Sequence, residues 1–132
     1  MALSWKVKRG VNPGTGYVEA EETISADQVA IHINATFGIG TNTACNGTCD
    51  VSVAKVVYML ASTATVVETN ASNGSVNVFT LAAGVPYLWT ASSGAAWYDT
   101  AGTVVTTDIT SLFVTNAAST DLQILILADP TP

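Results

Sequence analysis

The feature that most constrains this chain is an alternation with a period of two. Val29, Ile31, Ile33 and Ala35 alternate with Ala30, His32, Asn34 and Thr36, a spacing that sends one set of side chains into a core and the other toward solvent or a partner. Comparable runs occupy residues 3–11, 17–24, 51–61, 65–68, 76–81, 109–115 and 122–128. Turn chemistry separates them. Asn12-Pro-Gly14, Asn46-Gly47 and Asn73-Gly74 are dipeptides and tripeptides of the kind that take the positive φ of a tight hairpin. Short strands spaced by polar turns, with no competing helical period, predict an all-β fold: an antiparallel β-sandwich or jelly roll of about eight strands. The chain reads as a single domain over residues 1–132, with residues 1–12 as an N-terminal arm or edge strand. The runs Val56-Val-Tyr-Met-Leu60 and Ile124-Leu-Ile-Leu127 are apolar at successive positions, which suits central strands or strands that meet a neighbouring subunit.

A chain of 132 residues that is 48% hydrophobic can bury a core without help from metals or many disulfides. Its charge is scarce and unevenly placed. Only 11% of residues are charged, against roughly 25% in ordinary soluble domains. Residues 1–55 hold Lys6, Lys8, Arg9 and Lys55 against Glu19, Glu21, Glu22, Asp27 and Asp50, which gives 4 − 5 = −1. Residues 56–132 hold Glu68, Asp99, Asp108, Asp121 and Asp129 and no base, which gives −5. An acidic body with no basic track repels a phosphate backbone, so nucleic acid is not an expected partner. No run approaches the ~20 apolar residues that span a bilayer, and the basic residues near the start lead into Gly10-Val-Asn-Pro-Gly14 rather than an apolar signal segment. Synthesis in the cytoplasm and no membrane partner are the expectation.

The candidates for chemistry are few. His32 is the single histidine; it shares a strand face with Asn34 and Thr36 and is expected to face solvent. Glu19 and Glu21 fall on one face of a strand, about 7 Å apart by strand geometry, and read as its wet side. Cys45 and Cys49 flank Asn46-Gly47. In a hairpin their Cα atoms would approach the ~4.4–6.8 Å that a disulfide needs, and the alternative is a pair of reduced thiols. The sequons at Asn34, Asn46, Asn70 and Asn73 arise readily in a chain so rich in Ser and Thr. Tyr87, Trp89, Trp97 and Tyr98 are close in sequence and suit a core, a subunit interface or a sugar platform. No catalytic residue, cofactor or metal set is expected.

The segments Leu81-Ala-Ala-Gly-Val-Pro-Tyr-Leu-Trp89, Asp108-Ile-Thr-Ser-Leu-Phe-Val-Thr-Asn116 and Ala117-Ala-Ser-Thr-Asp-Leu-Gln-Ile-Leu-Ile-Leu-Ala-Asp129 resemble the C-terminal half of small β-sandwich virion proteins of tailed bacteriophages. The resemblance covers about the last fifty residues and rests on pattern rather than on a diagnostic motif. It implies a non-enzymatic capsid decoration or cement protein on the outer capsid surface, a homotrimer bound to the major capsid protein; a head-fibre or tail component, or a carbohydrate-binding adhesin, is the alternative. The expected contacts are an amphipathic arm, with Leu3 and Trp5 on one strand face and Lys6 and Lys8 on the other, ending at Arg9, and an aromatic loop carrying Trp97 and Tyr98.

Overall fold

Alternating apolar residues leave strands with one buried face and no way to bury it alone, and the chain meets that demand by layering them. The computed structural model describes residues 3–11, 18–26, 28–71 and 76–129, with side chains from residue 28 onward. Ten strands follow in order: β1 (Leu3–Val11), β2 (Val18–Ala26), β3 (Gln28–Phe37), β4 (Gly40–Cys45), β5 (Ala54–Ala61), β6 (Thr65–Thr69), β7 (Val78–Leu81), β8 (Tyr87–Thr90), β9 (Leu112–Asn116) and β10 (Thr120–Ala128). The helical segments among the described residues are single 3-10 turns at Val51–Val53 and Ala91–Ser93.

Eight strands form two antiparallel sheets of four, ordered β3-β10-β5-β8 and β4-β9-β6-β7, and β1 and β2 form a separate two-stranded sheet. The pairs β3 with β10, β4 with β9, β5 with β8 and β6 with β7 define one long antiparallel ribbon whose tip lies between β6 and β7. Rolled so that each half-ribbon contributes to both sheets, it is a jelly roll. The expected β-sandwich or jelly roll of about eight strands is therefore the fold, with different membership. β1 joins neither sandwich sheet and pairs only with β2. β4 and β8 take the two remaining places.

The core lies between the sheets. Val57, Met59, Leu122, Ile124 and Ile126 face Val67, Phe79, Leu112 and Val114, all essentially inaccessible to solvent, and each such side chain contributes roughly 1.5–3 kcal/mol by burial. Neighbouring bulges curl the first sheet. Ile126 and Leu127 of β10 oppose Ile31 and Val29, so Ala30 is extra; Leu127 and Ala128 oppose Val56 and Ala54, so Lys55 is extra. An extra residue bends a strand and increases its twist, and Ala54 turns into the core as a result.

The ends of several elements differ from expectation. The run 51–61 opens with a 3-10 turn because Asp50 accepts a hydrogen bond from Ser52 N at 3.0 Å and caps it. The Asn46-Gly47 turn is not a hairpin. Positive φ among the described glycines is confined to Gly84, Gly94 and Gly102. Gly47 is needed instead for room, since a Cβ there would stand 3.0 Å from Leu112 Cδ1 and 3.1 Å from Ile31 Cδ1. The Asn12-Pro-Gly14 and Asn73-Gly74 turns lie outside the described residues.

Each strand of one sheet runs directly into a strand of the other through a short corner: β3 into β4, β5 into β6, β7 into β8 and β9 into β10. Backbone groups that leave the ladder at a corner need new partners. The buried amide of Asn116 donates to Phe37 O at 3.2 Å, Gly38 O at 3.1 Å and Ala118 O at 2.7 Å, tying two corners together. Nearby, Ser62 N donates to Asp121 O, Asp121 N to Ser62 Oγ, and Thr63 N to Thr120 Oγ1. Replacing Asn116 with Ala strips three carbonyls of their donor and is expected to cost roughly 2 kcal/mol or more, read as a lower denaturation midpoint at unchanged m-value.

Candidate interaction surface

The segment from β8 to β9 crosses between the sheets, and its buried residues are structural. Trp97 is 4% exposed; it stacks on Trp89 with ring centroids 5.7 Å apart and lies 6.0 Å from Phe79, which meets Tyr87 edge-on at 5.3 Å. Tyr87 Oη donates to Tyr98 O at 2.6 Å and Trp89 Nε1 to Ala95 O at 3.0 Å, and burial pushes the Tyr87 hydroxyl up to about 12. Trp97 is therefore not a partner contact, as expected from sequence, but a core residue: a large apolar ring in a crossover is worth more inside the roll than on it. Tyr98, 52% exposed, alternates outward and remains accessible.

Asp99 organises the same crossover. Its carboxylate accepts from Asn77 Nδ2, Val78 N, Ala101 N and Thr103 N at 2.9–3.1 Å. Burial works to raise its pKa, but these bonds outweigh it and the net shift is downward. Thr100 adds to the same edge, where its backbone N and Oγ1 donate to Val78 O and its Oγ1 accepts from Thr80 N at 2.7 Å. Together the two residues close the outer side of β7.

A depression of about 320 Å³ opens at one end of the roll, lined by Gln28, Cys49, Asp50, Val53, Asp108 and Ala128 among others. Its two carboxylates are engaged. Asp50 binds Ser52 through backbone and hydroxyl, and Asp108 Oδ1 accepts from Val51 N at 3.0 Å. Cys49 is buried, and burial, with the nearby charges of Asp50 and Asp108, pushes its thiol up to about 11; burial also raises Cys45. Both thiols are free. The disulfide allowed by spacing is absent because the chain does not turn back between them: Cys45 lies opposite Leu112 and Cys49 opposite Ile109. Three residues of extended chain is roughly 10 Å, beyond the ~7 Å limit for a bridge. Among the described residues no group of three metal-type side chains occurs.

The outward face of the β3-β10-β5-β8 sheet is different in kind. Since Ile31, Ile33, Val57, Met59, Ile124 and Ile126 pack in the core, their alternates point away from it. Register sets His32, Leu125, Tyr58 and Leu88 in one row, with Asn34, Gln123 and Leu60 beside it. A shallow hollow of about 190 Å³ lies among His32, Asn34, Tyr58, Gln123 and Leu125. Beyond it, Leu127 and Val56 are 1% and 4% exposed although they lie outside the apolar cluster between the sheets. The charged residue at the far end is Asp121, which accepts from Thr36 Oγ1 at 2.6 Å. His32 is solvent-facing, as its alternation predicts.

The runs 56–60 and 124–127, read from sequence as central strands or strands that meet a neighbouring subunit, supply this surface through positions 56, 58, 60, 125 and 127, although none of these is among the expected contact residues. The side chains of Leu3, Trp5, Lys6, Lys8 and Arg9 lie outside the described residues. In the backbone register of the hairpin, Trp5 pairs with Ile24, Leu3 with Ala26 and Lys8 with Glu21, so residues 3, 5, 24 and 26 share one face and residues 6, 8, 21 and 23 the other. Comparison of the chain with protein-family models, curated proteins and solved structures finds no match.

Two outcomes are expected. Because the folded pKa of Asp99 is lowered, its stabilisation is complete above the ordinary Asp value near ~3.9 and is lost as pH falls through the folded value; Asp99→Asn should flatten that acid limb in thermal melts taken across the acid range. Thiol titration with a disulfide reagent at neutral pH should label Cys49 slowly in the native protein and both cysteines promptly in denaturant without reductant. Prompt labelling only after reduction would indicate a bridge.

Proposed function

We propose that this chain is a structural protein of a virus particle, a capsid decoration or cement protein that binds the major capsid protein and stiffens its lattice. The observation that carries the reading is the outward sheet face, whose central positions are Tyr58, Leu60, Leu88 and Leu125 with polar His32, Asn34 and Gln123 around them. Contiguous apolar surface of this kind serves as an interaction site, and a core poor in charge with a polar margin is the composition of protein interfaces. The jelly roll supports the reading by analogy, since viral capsid domains use it, as do lectins and cupins. Burial of Trp97 removes the aromatic on which a sugar platform depended, which favours the particle over the adhesin.

Particles assembled with and without the protein are expected to differ, the decorated ones breaking at higher temperature and under stronger osmotic shock. Leu88→Lys and Leu125→Lys, which place charge on the outward face, should lower loading roughly tenfold or more at unchanged fold. Equal resistance of the two kinds of particle would end the cement reading, and a few copies confined to a vertex or tail would indicate a fibre or tail component.

A further inference from the structure

The open edges of the roll are protected unequally. On β7, Asp99 accepts from Val78 N at 3.1 Å and Thr100 N donates to Val78 O at 3.2 Å, so the outer backbone groups are taken. β8 has four residues and runs into a 3-10 turn in which Ser93 Oγ bonds Thr90 O at 2.7 Å. β4 is interrupted by a register shift between Gly40 and Thr43, with Asn42 at φ 52 and its N–H turned onto Thr115 Oγ1. Among the described residues, β3 has none of these devices. It is ten residues long, carries no charge and no proline, and ends its sheet. Past the bulge at Ala30 its ladder is regular over residues 31–37. Among the described residues, the only backbone group of β3 bonded from outside that ladder is Phe37 O, held by Asn116. A long, neutral, regular edge is a template for another strand, and proteins that must avoid pairing block it with charge, proline or cover.

We propose that β3 pairs edge to edge with β3 of a second copy, antiparallel across a two-fold axis at Asn34, fusing the two β3-β10-β5-β8 sheets into one. The strand is its own complement. Asn34 is the midpoint of the regular stretch, so a two-fold there sets Ile33 against Ala35 and His32 against Thr36, inward residues beside inward and outward beside outward. No charge meets a like charge, which a strand from a charged partner would not guarantee. Main-chain bonds along residues 31–37 supply the affinity, and the isologous contact closes at two copies, in place of the three that the resemblance implies. The two outward faces then lie on one continuous sheet, with His32, Asn34 and Thr36 of both copies at the seam between the two apolar regions. The proposal does not depend on what that surface binds.

Sedimentation equilibrium of the full chain at micromolar concentration, without particles, should show a dimer. His32→Lys combined with Asn34→Lys, both at exposed positions, should weaken it roughly tenfold or more by placing like charges opposite one another, while Ala82→Lys combined with Ala83→Lys on the exposed β7–β8 corner leaves it unchanged. Near-ultraviolet circular dichroism checks that both variants keep their packing. Hydrogen exchange on the unmodified protein should show amides within residues 31–37 slowing as concentration rises, a readout that needs no variant. A monomer throughout the range, a trimer, or a dimer indifferent to the edge lysines and protected elsewhere would overturn the pairing; the loading of particles is measured separately and its failure would leave the pairing in place.

Discussion

A double-stranded ribbon that bends from one sheet into another breaks its ladder at every corner, and the jelly roll depends on finding new partners for the groups released there. In this chain that task falls to uncharged side chains. Asn116 spans two corners with three bonds from one amide, and Thr63, Thr65, Thr120 and Ser62 complete the neighbouring ones. These residues sit where apolar packing cannot reach, because an aliphatic side chain at Asn116 would leave carbonyls buried without donors. The core gives the sheets their cohesion, and the amide fixes how the ribbon folds between them.

The same economy explains how the rim is finished. A domain with few charges cannot protect its strand edges with lysine, the commonest device. It uses one carboxylate, Asp99, fully bonded within the crossover, and the hydroxyl of Thr100. The crossover itself is anchored by Trp97 against Trp89 and Phe79, so its aromatics and its polar groups serve one end: holding a long connection flat against β7. That leaves the opposite side of the first sheet, at β3, structurally unlike every other margin of the roll.

Much of the fold is legible in the sequence, and the exceptions have physical causes. β3 and β6 follow from alternation because each has one face in the core and the other wet, and β10 from its apolar run Ile124-Leu-Ile-Leu127. β4 is invisible to such a test: Gly40-Thr-Asn-Thr-Ala-Cys45 lacks an apolar row and is held by its ladder with β9. β8 is too short to show a period. The separation of β1 and β2 from the sandwich is likewise unreadable, since a hairpin and two edge strands carry the same local pattern. The aromatic loop misled for a different reason. Trp and Tyr are enriched both in cores and at interfaces, and only the contact with Phe79 assigns Trp97 to the former. The disulfide failed on topology, because Asn-Gly permits a hairpin without requiring one, and here Gly47 lies against Leu112 and Ile31.

The apolar outer positions of β5 and β10 join these points into one argument. In an antiparallel sheet with one face in water, alternation should turn polar at positions 56, 58, 60, 125 and 127, and it does not. Val56 and Leu127 are nonetheless buried, which shows that the first sheet acts as a middle layer at one end, covered on both faces within the chain itself. Toward the other end, around Tyr58, Leu60 and Leu125, the same pattern continues but burial is only partial. The apolar pattern thus extends beyond the stretch that the chain buries completely, on a domain whose charge is scarce throughout.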